Sequence, residues 1–177
     1  MSRNVRCTIV CEDRQQGAFV RRFLQGLGFD NRRIRMMPSP KAKGSGEQYV
    51  REQYPKEVDS QRRRSYQKNL ALVAVIDADT HSVKQRLEHL DNALKENNLE
   101  VRQDDEKIAN IVPKRNVETW LKYLSGEDVD EETDYRHKDR QRKCKEQVNR
   151  MLEIWQNPPQ DSPESLKNAC KEFKRVM

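Results

Sequence analysis

The chain has 177 residues, 36% of them charged and 34% hydrophobic, and its 35 Lys and Arg exceed its 29 Asp and Glu to give a net charge of +6. This length fits one domain with a substantial core, and the positive balance favours an acidic partner such as nucleic acid. We recognise no signal peptide and no apolar run of membrane-spanning length, so we expect a cytoplasmic protein that makes no contact with a membrane.

Strand-like and helix-like segments alternate from the start of the chain. Residues 5–11 predict a first strand that ends at Glu12, and apolar residues at spacings of one, three and four then predict a helix that ends near Gly26. A short second strand is expected at residues 34–37. Cys7, Cys11 and the two later cysteines form no Cys-x-x-Cys pair, and we expect reduced core residues rather than a zinc site.

A loop rich in proline, glycine and serine covers residues 38–46, and its Lys41 and Lys43 are candidates for binding a nucleic-acid phosphate. The alternative is a surface loop without a ligand. The Gly-Lys-Ser/Thr ending of a nucleotide-binding P-loop is absent. Residues 47–54 have helical propensity, and we expect Pro55 to end or kink that helix.

The most strongly patterned segment is the apolar run 70–76, which the carboxylates of Asp77 and Asp79 follow. Its length and β-branched content predict a strand that is buried on both faces of a sheet. Because Asp77 and Asp79 are two positions apart, we expect their side chains to point to the same side, where one cation contacts both. The alternative is that Asp79 or Thr80 caps the following helix.

Downstream, an apolar helical stripe follows Asp79, a further strand is expected at residues 107–113, and Asn116 is expected to cap a short helix. A solvated acidic loop at 127–134 and two amphipathic helices complete the chain. This order predicts an α/β fold, with a mostly parallel central sheet, helices on both faces and a C-terminal helical extension. We expect residues 1–126 to form the α/β domain and residues 127–177 to pack on the same domain.

Acidic side chains follow two of the predicted strands. Glu12 follows the first, and Asp77 and Asp79 follow the later one. Because parallel strands end at one edge of a sheet, we expect the three carboxylates to meet there and to bind Mg²⁺ or Mn²⁺. Such a site can activate water for attack on a phosphate. Glu118, in the first turn of the helix after the 107–113 strand, is either a further ligand or a favourable charge at a helix N-terminus.

A Glu after the first strand and an Asp-x-Asp after a later buried strand, here Glu12, Asp77 and Asp79, resemble the acidic pattern of TOPRIM domains. The resemblance covers about residues 5–125 and points to stand-alone TOPRIM proteins related to OLD-type nucleases. It implies magnesium-dependent phosphodiester chemistry, with Glu12 as the general acid or base and Asp77 and Asp79 as metal ligands. It also implies action beside an ATPase or another protein partner in defence against phage or plasmids.

The chain departs from the TOPRIM pattern at Asp13, which stands where the family has a Gly directly after the Glu. We find no tyrosine that can be assigned as a topoisomerase nucleophile, and no zinc-binding or polymerase module. The leading hypothesis is therefore a nuclease. The alternatives are a non-catalytic module of the same fold that binds nucleic acid or protein and, less favoured, a nucleotide-sugar transferase in which Asp77 and Asp79 bind the metal.

Basic clusters are candidates for phosphate contacts, which provide affinity without sequence selectivity. Lys114 and Arg115 come directly before the Asn116 helix, and a further cluster extends from Arg136 to Lys145. The alternative for each is an ordinary solvated charge. The remaining candidates are all arginines, namely Arg62, Arg63 and Arg64, extended by Arg32, Arg33 and Arg35.

Overall fold

In the part of the chain that the structure describes, four parallel strands form one central sheet. The structure, a computed structural model, describes residues 3–40, 44–136 and 144–177. The strands are β1 (Arg6–Cys11), β2 (Ile34–Pro38), β3 (Leu70–Val75) and β4 (Ile108–Ile111). They lie in the order β2-β1-β3-β4, and each neighbouring pair is parallel. The prediction of an α/β fold with a parallel central sheet is confirmed.

Helices cover both faces of this sheet. In the described part of the chain they are α1 (Arg14–Gly26), α2 (Gly46–Arg63), α3 (Val83–Glu96), α4 (Val117–Leu124), α5 (Lys145–Ile154) and α6 (Glu164–Phe173). One hydrophobic core lies between the sheet and α1, α4, α5 and α6, and a second lies between the sheet and α2 and α3. Side chains of β3 alternate between them, since Val73 and Val75 belong to the first core and Leu72 and Ala74 to the second.

The register of the sheet determines where the polar residues after each strand are placed. Every residue of β3 is buried, as its continuous apolar sequence predicts for a central parallel strand. Val75 pairs with Cys11 of β1 on one side and with Ile111 of β4 on the other. Because the three strands end level with one another, the residues that follow them share one edge of the sheet.

Of the two outcomes expected at Pro55, an end or a kink, the end is wrong, because α2 continues beyond it to Arg63. Pro55 is buried on the face of α2 that packs against the sheet. The other buried residues of this face are fully enclosed in the second core, namely Val50, Tyr54 and Val58. A proline inside a helix removes one backbone hydrogen bond. Burial of this apolar face against the sheet offsets that loss and keeps the helix continuous.

The C-terminal helices belong to the first core. The ring of Phe23 in α1 lies 4.7 Å from that of Phe173 in α6 and 6.1 Å from that of Trp155, which follows α5. The acidic segment 127–134 before them is mostly exposed, as the sequence predicts, although Val129 and Glu131 are partly buried. Glu131 accepts a 3.0 Å hydrogen bond from the backbone nitrogen of Ser165 in α6. No helix within the described ranges has both the length and the hydropathy needed to cross a membrane.

Candidate functional site

Glu12 and Asp77 are in direct contact at the carboxyl edge of the sheet. Oε1 of Glu12 accepts a hydrogen bond from the backbone nitrogen of Asp77 at 2.6 Å. The backbone nitrogen of Glu12 in turn donates to Oε1 of Gln16, a fully buried residue of α1, at 2.9 Å. Sheet register and α1 together hold the Glu12 carboxylate over the end of β3.

Asp77 is a buried carboxylate in an acidic environment. Asp77 is only 6% exposed, and its Oδ1 has no hydrogen-bond partner among the described residues. Burial, followed by the charges of Glu12 and Glu118, raises the pKa of Asp77 well above its usual value. Glu118, in the first turn of α4, therefore lies close enough to influence this carboxylate, as the sequence predicts.

Burial also dominates the environment of Glu12. It raises the pKa of Glu12 from 4.5 to about 7, against the lowering effect of the hydrogen bond from Asp77, and the charge of Asp79 raises it further. Two neighbouring carboxylates that both resist ionisation favour either a shared proton or a bound cation. Glu12 and Asp77 therefore lie together at the carboxyl edge of the sheet, hereafter the acidic edge, where the sequence places them.

Asp79 differs from Asp77 in conformation and in partners. Its backbone is left-handed, with φ at 52°, so the alternation expected of an extended strand does not reach it. Its Oδ1 accepts a 2.6 Å hydrogen bond from Nη2 of Arg136. The alternative that Asp79 or Thr80 caps α3 is wrong, because Ser82 is the N-cap and its hydroxyl accepts from the backbone nitrogen of Gln85.

A buried arginine joins three elements next to this edge. Arg86 of α3 is 3% exposed, and its Nη1 donates to Oε1 of Glu47 in α2 at 2.5 Å. Its Nη2 donates to the backbone oxygen of Ala78 at 3.4 Å and lies 3.9 Å from Oδ2 of Asp79. Arg86 therefore neutralises part of the acidic edge and links the starts of α2 and α3 to the end of β3.

Sequence reasoning missed Arg86, Glu47 and the contact of Arg136 with Asp79. A topological signal for the first two was available. In a parallel α/β sheet, each helix that follows a strand begins at the carboxyl edge, so charged residues in its first turns lie beside the residues that end the strands. Glu47 and Arg86 both occupy such positions in α2 and α3.

Gly46 allows the start of α2 to approach Glu12 closely. A Cβ atom at Gly46 would lie 2.8 Å from Cβ of Glu12 and 2.9 Å from its backbone oxygen, closer than side chains tolerate. The glycine therefore allows the first residue of α2 to lie next to Glu12. Lys41 and Lys43, the predicted phosphate contacts of the loop at 38–46, lie outside the described residues.

Two of the predicted basic residues do lie beside the acidic edge. Arg115 forms an antiparallel backbone bridge with Asp79, and its buried Nε has no hydrogen-bond partner among the described residues. Nζ of Lys114 donates to the backbone oxygen of His81 at 2.9 Å. Of the later basic cluster, Arg136 contacts Asp79, and residues 137–143 lie outside the described ranges.

The arginine triplet lies at the other end of the strands, near the start of β3, and consists of Arg62, Arg63 and Arg64. Arg62 is used internally, since its Nε and Nη2 donate to Glu106 at 2.6 and 2.9 Å. Arg63 is exposed and pairs with Asp59 at 2.9 Å. The structure thus separates this triplet from Glu12 and Asp77 by the length of the strands, about 20 Å for six residues.

The carboxylate oxygens at the acidic edge are of the type that magnesium prefers over nitrogen or sulfur ligands. Mg²⁺ is typically bound by one or two carboxylates, several waters and a substrate phosphate. Glu12 and Asp77 bring two carboxylates to this edge, and Oδ1 of Asp77, which has no hydrogen-bond partner in the described part of the chain, could hold such a cation. In that same part, no group of three or more His, Cys, Asp or Glu side chains is arranged to hold a metal ion by itself.

No family model matches the chain, and comparisons with curated proteins and with solved structures give no significant match. The resemblance to TOPRIM domains therefore rests on Glu12, Asp77, Asp79 and the order of the elements. The geometry of the acidic edge is the basis for the functional proposal that follows.

Proposed function

We propose that the protein is a magnesium-dependent nuclease that cleaves phosphodiester bonds of nucleic acid at the carboxyl edge of its sheet. The observation that carries this proposal is the contact between Glu12 and Asp77 from neighbouring parallel strands. A buried carboxylate oxygen without a partner, Oδ1 of Asp77, is costly to maintain in a fold unless it has a ligand to bind. A TOPRIM-like domain would account for both features.

The residues of the edge divide into ligands and a proton-transfer group. Asp77 and Asp79 would hold Mg²⁺ or Mn²⁺, with Glu118 as a further ligand, and Asp79 would exchange its contact with Arg136 to do so. A cation held there would polarise the phosphate and lower the pKa of a bound water. Glu12, held over the end of β3, would accept or deliver the proton of the reaction.

Basic side chains beside the edge would bind the phosphates of the substrate. Arg115 and Lys114 follow β4 at this edge, and Arg136 contacts Asp79 directly. A guanidinium released from Asp79 by the cation would be free to pair with a phosphate oxygen. We further propose a role in defence beside an ATPase or another protein partner, which the TOPRIM resemblance alone supports.

One observation favours a different function. Asp79 is already paired with Arg136 and lies near Arg86, so its charge is neutralised without a metal ion. An edge stabilised in this way suits a non-catalytic module that keeps the fold and binds nucleic acid or a protein. This alternative predicts nucleic-acid or partner binding without turnover, and tolerance to substitution of Asp77.

A cleavage assay separates the two functions. Labelled plasmid, single-stranded DNA and structured RNA are incubated with the protein in Mg²⁺, in Mn²⁺ and in EDTA, beside Asp77→Ala and the exposed-residue control Asp105→Ala. We expect metal-dependent cleavage that Asp77→Ala abolishes and Asp105→Ala retains, with circular dichroism confirming that both variants are folded. Absence of cleavage on every substrate, or equal activity of Asp77→Ala, would contradict the nuclease and favour the binding module.

A further inference from the structure

A cleft at the amino edge of the sheet is lined by five arginines. It has a volume of about 550 Å³ and lies between the starts of β1 and β3, the segment before β2 and the end of α2. This volume is within the usual range for sites that bind small molecules, about 300–1,000 Å³. The arginines are Arg6, Arg32, Arg33, Arg35 and Arg64.

The positive charge of this cleft is not balanced within the described structure. None of the five guanidinium groups forms an ion pair with a described residue, and Arg64 donates only to the backbone and hydroxyl oxygens of Ser60. Two carboxylates, Asp30 and Glu57, share the lining. Asp30 accepts a hydrogen bond from the backbone nitrogen of Arg32, so it serves the local turn.

Guanidinium groups that line one cleft and form no ion pair with a described residue are suited to phosphate. The planar fork of arginine donates two parallel hydrogen bonds to phosphate oxygens, and several forks in one concavity provide binding that a single surface arginine does not.

We propose that this arginine cleft binds the phosphate of a nucleotide, either free or at the end of a nucleic-acid strand. The cleft and the acidic edge lie at opposite ends of the strands, about 20 Å apart. The proposal therefore does not depend on the nuclease activity. It assigns Arg32, Arg33, Arg35 and Arg64 to a separate site and leaves Arg62 as a structural residue.

Calorimetric titration with ADP in EDTA tests the proposal directly. Arg35 is exposed and lines the cleft, whereas Arg22 is an exposed arginine of α1 outside it. We expect ADP to bind the wild-type protein and Arg22→Ala equally, and Arg35→Ala to weaken binding by about tenfold or more. Adenosine, which lacks the phosphate, should not bind. Absence of ADP binding at about 1 mM, or equal losses in both variants, would overturn the proposal.

A second comparison distinguishes the two sources of the phosphate. A short oligonucleotide is titrated with and without its 5′-phosphate. Tighter binding of the phosphorylated form that Arg35→Ala removes would identify the end of a strand, whereas ADP binding together with indifference to the 5′-phosphate would identify a free nucleotide. Asp77→Ala should retain ADP binding in either case, so failure of the nuclease proposal and failure of this one are separable.

Discussion

Replacement of Glu12 by Gln should stabilise the protein at neutral and alkaline pH. The substitution keeps the size of the side chain and its Oε1 acceptor for the backbone nitrogen of Asp77. It removes a negative charge that burial disfavours and that lies beside the carboxylates of Asp77 and Asp79. Reactive sites commonly contain residues that are needed for the chemistry but that destabilise the folded protein.

The size of the effect follows from the pKa of Glu12. Its rise from 4.5 to about 7 corresponds to a cost of up to about 3 kcal/mol for the ionised form in the folded protein. Below pH 4.5 the carboxyl group is protonated in both the folded and the unfolded chain, so the charge contributes nothing. Between about pH 4.5 and 7 the unfolded chain releases the proton first, and the wild-type protein loses stability that Glu12→Gln retains.

Urea denaturation at about pH 4 and about pH 8 measures this difference. We expect Glu12→Gln to exceed the wild type by about 1–3 kcal/mol at the higher pH and to match it at the lower one. Glu88→Gln, at an exposed position of α3, should differ little from the wild type at either pH. Destabilisation by Glu12→Gln at pH 8, or the same difference at both pH values, would refute the reasoning.

Two further predictions concern the surroundings of Glu12. Arg86→Met should lower the free energy of unfolding by about 3 kcal/mol, which is the lower end for breaking a buried ion pair because Arg51 still contacts Glu47. In the same urea titration, Arg150→Met on the surface should lower it by less than about 1 kcal/mol. Similar losses in the two variants would contradict a structural role for Arg86. Addition of Mg²⁺ at pH 8 should raise the Tm of the wild-type protein but not that of Asp77→Asn, because an ion that binds only the folded state stabilises it. An equal rise in Tm for both proteins would exclude Asp77 as a residue that coordinates the ion.

The sequence predicts the sheet and its acidic edge because both depend on local patterns. The apolar run of β3 specifies a central strand, and the positions of Glu12 and Asp77 directly after two strands place them at one edge once the strands are parallel. No local sequence pattern predicts the left-handed backbone of Asp79. The side chain of Asp79 therefore does not follow the alternation of an extended strand.

Contacts between distant segments account for most of what the sequence did not predict. Glu47 and Arg86 lie far apart in the chain, and charge alone does not show that the buried Arg86 pairs with the partly buried Glu47. For the same reason Arg62, which is predicted to bind phosphate, instead pairs with Glu106. Pro55 illustrates a second cause, because the buried face of α2 overrides a local preference to end the helix.

The cleavage rate of Glu12→Gln tests the proposed reaction centre most directly. It is compared with the rates of the wild-type protein and of Glu88→Gln on the same substrate in Mg²⁺, using samples whose stability has been measured. A Glu12–Asp77 reaction centre predicts a loss of about 10²-fold or more in a variant that is at least as stable as the wild type. A rate for Glu12→Gln within about twofold of the wild type would show that the chemistry does not take place at this edge.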